Sequence, residues 1–346
     1  MPDSDEGMRI LNRYRPLVDA EMRRLLAGDG PNSLYHRIRY HLGWAGADGS
    51  PTDSPRGKRV RSALCLLCCE AAGGEAAAAA PAAAAIELLH SFTLLHDDIA
   101  DQDEMRRGRP TVWSLWGVGE ALTAGDALYA LTNLAIVNLD PAHVPSETVV
   151  RVARELNEAC LTVCEGQQLD MAYEGRDDIG AAEYLTMVEG KTAALIAAAC
   201  SIGGRIAAAP EEVVRALGDF GRHLGIAYQI RDDVLGLWGV EGDLGKPVGS
   251  DLKRNKRSLP IVYGLTESDP ETRRELSARL AEGITTDQEA HAMAARLEGA
   301  GARSYCDNLA EESRQRALQS LRGAPLRATP ARELRALVSY LTERSG

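Results

Sequence analysis

The sequence predicts an all-α protein, and three observations carry that expectation. Apolar residues recur at helical spacing nearly everywhere. Alternating runs of the β type are scarce. Leu, Ala, Arg and Glu dominate while aromatics make up only 5% of the chain. In order, helices are predicted at about 7–28, 32–46, 57–72, 76–101, 112–139, 145–173, 181–206, 210–238 and 256–266, with the remainder helical to the end. Breaks are expected at GADGSPTDSPRG (46–57), GVEGDLGKPVGSDLKRN (239–255) and LRGAPLRATPA (321–331), each rich in Gly, Pro, Asp or Ser. None is long enough for a domain linker and no repeat of fixed period is present, so residues 1–346 are expected to form a single domain.

Composition narrows the function. A net charge of −11 with a pI near 5.2 argues against a nucleic-acid binder, which would need a basic face. The start, MPDSDEGMRI, is acidic and lacks an apolar core, so no secretory signal is expected. The Ala-rich run 71–90 contains Glu75 and Pro81, and no membrane span is expected. A soluble cytoplasmic protein is the expectation, and seven cysteines fit it. Cys65, Cys68 and Cys69, like Cys160 and Cys164, have spacings that invite a zinc site, yet they lie in apolar helical segments where cysteine packs as a small hydrophobe.

The helix at 57–72 opens with Lys58, Arg59 and Arg61 beside Gly57, which reads either as an anion site at a helix amino terminus or as a solvated first turn. The next helix, 76–101, runs into LLHDDIADQDEMRRG (94–108), where Asp97, Asp98, Asp101, Asp103 and Glu104 crowd together. A helix carboxyl terminus is the wrong end for carboxylates, so positive charge is needed. Asp97 and Asp101 project from one face, which suits Mg²⁺ held by one or two carboxylates plus substrate phosphate. Arg106 and Arg107 supply the other positive charge and could hold diphosphate bidentately. Asp103 and Glu104 read as solvated. His90 lies two turns before Asp97 on the same face.

Further on, EGKTAALIAAAC (189–200) places Lys191 and Thr192 at the start of an apolar helix. AYQIRDDVLGLWG (227–239) carries a second acidic pair, Asp232 and Asp233, inside another apolar helix. Two such pairs read as two walls of a metal-loaded cavity. Lys246, in the Gly-rich loop, and Lys256, at the next helix start, could close over phosphate.

Together these segments resemble the trans-isoprenyl diphosphate synthases, the polyprenyl synthetase family. DDIAD (97–101) and RRG (106–108) match its first aspartate-rich motif, and GKRVR (57–61) its basic segment, with Ser62 in place of a proline. GDAL (125–128), EGQQLD (165–170), GKT (190–192), YQIRDD (228–233), GKPVGSDL (245–252) and NKRSLP (255–260) follow in the family's order. The matches span about 57–260, leaving helices over 267–346. The resemblance implies an isoprenoid-synthase-like helical bundle around a deep central cavity, assembled as a homodimer. It implies Mg²⁺, three ions with bound diphosphate, held by Asp97, Asp101 and Asp232. Arg106, Lys191, Lys246 and Lys256 would contact the allylic diphosphate. Lys58, Arg61, His90 and Arg107 would bind isopentenyl diphosphate, while Thr192 and Gln229 would face the allylic cation. Asp98 would support the metal ligands.

Three departures stand out. Gly236 occupies the position of the third aspartate in the second motif, where Asp243 or Asp251 could compensate. Asn255 replaces a glycine and Tyr228 a phenylalanine. Gly236 also admits a class I terpene cyclase, but Val240 stands where that motif needs glutamate and Lys58, Arg61 and His90 would have no use. The Cys65–Cys69 and Cys160–Cys164 spacings admit a non-catalytic subunit of a heteromeric synthase, which would not need the aspartates. The resemblance further implies that Phe92, five residues before Asp97, is the floor of the product cavity, and Thr93 a small neighbour, as in geranylgeranyl-forming enzymes. A twenty-carbon product is expected, with fifteen carbons second. Phe92→Ala is expected to lengthen the product, read by chromatography of dephosphorylated prenols; an unchanged distribution places the floor elsewhere.

Overall fold

The computed structural model describes residues 2–27, 33–52, 57–239 and 249–343. Its helices are α1 (Pro2–Leu25), α2 (Leu34–His41), α3 (Val60–Ala71), α4 (Ala76–Ala100), α5 (Val112–Trp116), α6 (Val118–Val137), α7 (Ser146–Tyr173), α8 (Ala181–Val188), α9 (Ala194–Ile206) and α10 (Glu211–Trp238). They continue with α11 (Ser250–Lys253), α12 (Leu259–Thr266), α13 (Pro270–Glu282), α14 (Asp287–Gly299), α15 (Ala302–Ser320) and α16 (Ala328–Thr342). The all-α expectation holds. The helix expected at 112–139 is two, because Gly117 turns the chain at φ 89°. One small hairpin, β1 (Met105–Arg106) with β2 (Arg109–Pro110), escapes the periodicity because it is too short to alternate. Local signals set several helix starts. Ser33 caps α2, Asp269 caps α13 ahead of Pro270, and Thr286 with Glu289 forms a reciprocal capping box on α14.

The chain resolves into two compact units. The first comprises Met1–Asn157, Ala198–Arg215 and Ala324–Leu334; the second comprises Glu158–Ala197, Ala216–Gly323 and Arg335–Gly346. In the first, α4 packs against α1, α3 and α6. Its run of buried alanines from Ala79 to Ala85, interrupted by Pro81, leaves little side-chain volume between neighbouring backbones. Gly203 on α9 is the tightest such approach to α3: a Cβ there would lie 2.2 Å from the Cys65 carbonyl oxygen. In the second unit α12 packs against α8, α13, α14 and α15, over a core that includes Tyr184, Val188, Ile230, Val234 and Val262.

Six cysteines are buried and Cys164 is exposed. Burial of Cys65, Cys68, Cys69 and Cys160 is what packing as small hydrophobes requires. Two segments, Ala76–Ala100 and Ala181–Ile206, are long and apolar enough to cross a bilayer, yet 67% of each apolar window is buried within the protein. Core helices pass the same test. Gly203→Ala is expected to destabilise the fold by about 1–3 kcal/mol, because the Cys65 backbone cannot move aside as a flexible side chain would. A urea midpoint equal to that of the parent would show that the α3–α9 contact relaxes freely.

Candidate active site

In the first unit α4 delivers its aspartates at a frayless end: the Asp101 amide donates to the Asp97 carbonyl at 2.8 Å. Asp97 and Asp101 are thus one turn apart and both half-buried. Asp98 turns inward, is 1% exposed, and accepts a hydrogen bond from Arg106 Nε. Burial pushes its carboxyl up to about 6, against the downward pull of Arg106. The hairpin makes this pairing possible. Arg107 (φ 53°) and Gly108 (φ 74°) form its left-handed two-residue turn, with Arg106 facing Arg109. Arg106 therefore meets Asp98, while Arg107 reaches the loop before α3. A Cβ on Gly57 would sit 2.8 Å from Arg107 Nη2, so glycine is what admits the guanidinium.

The solvated expectation for Asp103 is corrected. Asp103 is 2% exposed, since its amide bonds the Asp98 carbonyl at 2.9 Å and its own carbonyl accepts from the Trp113 indole at 2.9 Å. Glu104 is exposed as expected. The basic start of α3 is no solvated turn either. Arg59, at φ 57°, is 6% exposed; its guanidinium donates to Glu87 Oε1 at 3.0 Å and Asp19 Oδ1 at 3.3 Å. Ser62, the residue replacing proline, donates from its hydroxyl to Glu87 Oε2 at 3.0 Å. Arg59 is thus held between α1 and α4, and Lys58 and Arg61 flank a fixed point. Arg61 Nη1 lies 3.2 Å from His90 Nε2. Burial and the nearby Arg61 and Arg107 hold the His90 ring well below the usual histidine range, so it is neutral at pH 7. Phe92, half-buried, stands edge-on to His96 at 4.7 Å and tilted against Tyr129 at 5.6 Å; Thr93 Oγ1 donates to the His90 carbonyl at 2.8 Å.

The second unit gathers distant segments around a cavity of about 240 Å³. Lys191, Thr192, Gln229, Asp232 and Lys256 line it, with Asp170, Tyr184, Asp233, Gly236 and Asp251. Lys191 and Thr192 do not open a helix. They sit in a π turn, Glu189–Ala193, between α8 and α9, a local widening that re-aims side chains. Gly166 and Gly190 pack back to back beneath it; a Cβ on Gly166 would be 2.1 Å from the Lys191 amide nitrogen. Lys191 Nζ is steadied by Asp170. Thr192 Oγ1 donates to Gln229 Oε1 at 2.8 Å, and Gln229 Nε2 donates to Asp233 Oδ1 at 2.9 Å, which fixes the amide's orientation. Asp233 Oδ2 also accepts from the Tyr184 hydroxyl at 2.6 Å and the Leu259 amide at 2.9 Å. Burial, then the neighbouring Asp251, pushes the Asp233 carboxyl up to about 7. Asp233 is an internal post, leaving half-buried Asp232 as the cavity's carboxylate on α10.

Gly236 has an explanation in the fold. A Cβ there would lie 3.2 Å from Asp251 Oδ2, so a side chain at 236 would press on the Asp251 carboxylate. Lys256 precedes α12 instead of opening it; its amide bonds the Asp251 carbonyl at 3.0 Å. Lys246 and Asp243 lie outside the described residues. Glu87, Asp170 and Tyr184 were not singled out from the sequence. Glu87 has the same signal as His90, a polar residue on an apolar helix one turn away, and Asp170 closes EGQQLD.

The sequence model of the polyprenyl synthetase family matches residues 51–297. The chain belongs to the polyprenyl synthetase family. A geranylgeranyl diphosphate synthase of Mycobacterium tuberculosis is 42% identical over 319 residues, 92% of this chain and 89% of that one. A (2E,6E)-farnesyl diphosphate synthase of the same species is 37% identical over 351 residues, 99% of this chain and 96% of that one. The crystal structure of geranylgeranyl pyrophosphate synthetase from Pyrococcus horikoshii superposes with a TM-score of 0.88 at 33% identity, covering 100% of both chains. Like other polyprenyl synthetases, the protein is a prenyltransferase with an all-α fold. Asp233→Ala is expected to cost about 3 kcal/mol, because three buried donors lose one acceptor. An unfolding free energy within about 0.5 kcal/mol of the parent would mean that water replaces the carboxylate.

Proposed function

We propose that the protein condenses isopentenyl diphosphate with an allylic diphosphate, head to tail, to a short all-trans prenyl diphosphate. Geranylgeranyl diphosphate is the first choice of product and farnesyl diphosphate the second. The observation that carries the reading is the cavity of the second unit, where Lys191, Thr192, Gln229, Asp232 and Lys256 converge from separate segments. Its donors suit a leaving diphosphate and the cation it leaves behind.

The donor set fits Mg²⁺. Asp97, Asp101 and Asp232 offer hard oxygen ligands, which suits a cation that completes its shell with water and phosphate oxygens. Three ions would neutralise the departing diphosphate. The chain's own residues do the rest. Lys191, Lys246, Lys256 and Arg106 hold the allylic diphosphate as the carbon–oxygen bond breaks and its electron pair leaves with oxygen. Thr192 points its hydroxyl proton at Gln229, so its oxygen lone pairs remain for the allylic cation. Lys58, Arg61, His90 and Arg107 hold isopentenyl diphosphate while its double bond supplies the new carbon–carbon bond. The proton then lost goes to the released diphosphate. Phe92 and Thr93 set product length. Asp98 holds Arg106 and so acts through it.

Association as a homodimer belongs to the same reading. Large apolar side chains left exposed concentrate on α5, α6 and the start of α7, among them Leu115, Val118, Leu122, Leu134, Val137 and Val150. A cytoplasmic location belongs to the same reading, and the two apolar segments are accounted for as core helices. The test is incubation with Mg²⁺, isopentenyl diphosphate and each allylic primer, with product-length analysis. Elongation to a linear diphosphate supports the reading; a cyclised hydrocarbon without elongation overturns it. Asp251 is the surrogate for the missing third aspartate. Asp251→Asn is expected to raise the Mg²⁺ concentration for half-maximal rate by about tenfold, and Gly236→Asp on that background to restore most of it. Equal Mg²⁺ dependence in Asp251→Asn and the parent would remove Asp251 from the site.

A further inference from the structure

His41, the last residue of α2, was not singled out from the sequence, yet it faces the same space as two expected diphosphate ligands. It lines a small cavity of about 10 Å³ with Gly57, Arg59, Glu87, His90 and Arg107. It also lines a second, of about 30 Å³, with Asp98, Arg106, Arg107, Arg109 and Thr111. His41 and Arg107 are common to both, so the two cavities lie on either side of these side chains.

The walls are set for an anion. Arg59, Arg106, Arg107 and Arg109 all act on the His41 ring. Arg59 is already paired with Glu87 and Asp19, and Arg106 with Asp98 Oδ1. Polar atoms remain unsatisfied at the same walls. Thr111 Oγ1 and Asp98 Oδ2 line one cavity and Arg59 Nε belongs to the other; none has a hydrogen-bond partner among the described residues. Those three residues are 3%, 1% and 6% exposed. Two of these, the Thr111 hydroxyl and Arg59 Nε, are donors, and buried unpaired donors beside arginines call for a ligand rich in acceptor oxygens. Asp98 Oδ2, by contrast, is an acceptor and calls for a donor.

We infer that His41 is a direct ligand of the diphosphate of the non-allylic substrate, donating one ring N–H to a phosphoryl oxygen beside Arg107 and His90. The assignment rests on the proposal that Arg61, His90 and Arg107 bind isopentenyl diphosphate. The choice of diphosphate follows His90 and Arg107, expected isopentenyl diphosphate ligands that share the smaller cavity with His41; Arg106, an expected allylic ligand, lines the larger one but is held by Asp98.

His41→Ala and His41→Gln test it in the full chain, with retained urea midpoints as the folding control. His41→Ala is expected to raise KM for isopentenyl diphosphate about tenfold, with KM for the allylic primer changed by less than about twofold. His41→Gln, which keeps a donor, should recover part of the loss. Calorimetry with inorganic pyrophosphate in metal-free buffer, which requires no turnover, should show about tenfold weaker binding by His41→Ala. An unchanged KM for isopentenyl diphosphate, or a rise confined to the allylic primer, overturns the assignment. Failure of the parent enzyme to elongate any primer would overturn the proposed function instead, and pyrophosphate binding would still decide His41.

Discussion

Two buried carboxylates in this protein, Glu87 and Asp233, are kept by saturating them with fixed donors, and much of the site geometry follows from where those donors come from. Glu87 is the first case. It sits on an alanine-lined helix where an unpaired charge would cost several kcal/mol. Arg59 and Ser62 satisfy both of its oxygens, which ties α3 to α4. Arg59 reaches Glu87 only by leaving the helical path, and its positive φ records that departure. The basic loop is therefore placed by a demand of the core, and Lys58 and Arg61 inherit their positions from it.

Asp233 is the parallel case in the second unit, with a different set of donors. Tyr184, the Leu259 amide and Gln229 converge on one carboxyl group from α8, α12 and α10. Gln229 is consumed on its nitrogen side by this post, so its oxygen has one orientation left, toward Thr192. The chain of hydrogen bonds turns a stability requirement into a chemical one, because a fixed Thr192 oxygen cannot rotate to donate its proton toward the cavity. The π turn serves the same end. Its extra residue re-aims Lys191 and Thr192 without ending the helix, and the Gly166–Gly190 contact leaves room for the bulge.

Much of this was legible in the sequence, for physical reasons that also mark where legibility stopped. Helix periodicity is strong over long segments, so α4, α7 and α10 were read close to their ends. The acidic pairs stood out because carboxylates on apolar helices are costly. Sequence could not separate the members of each pair: Asp98 and Asp233 look like Asp97 and Asp232 until burial and partners are known. Asp103 was misread because a two-residue hairpin, set by Arg107 and Gly108 at positive φ, folds the chain over it. The π turn has no composition signal, and His41 lies on a short helix far in sequence from the groups it joins.

Gly236 shows the same limit from the other side. By sequence it is a loss, one carboxylate fewer in the second motif. By geometry the space is tight, since a Cβ at 236 would lie 3.2 Å from Asp251 Oδ2. Asp251 is held there by the short helix α11 and by the backbone bond from Gly249 to the Gly236 carbonyl at 2.8 Å. A larger residue at 236 would press on that carboxylate, and the proposal that Asp251 stands in for the third aspartate rests on this closeness. What a motif specifies, on this argument, is a carboxylate at a point in space. The chain is free to supply it from whichever segment the packing brings closest.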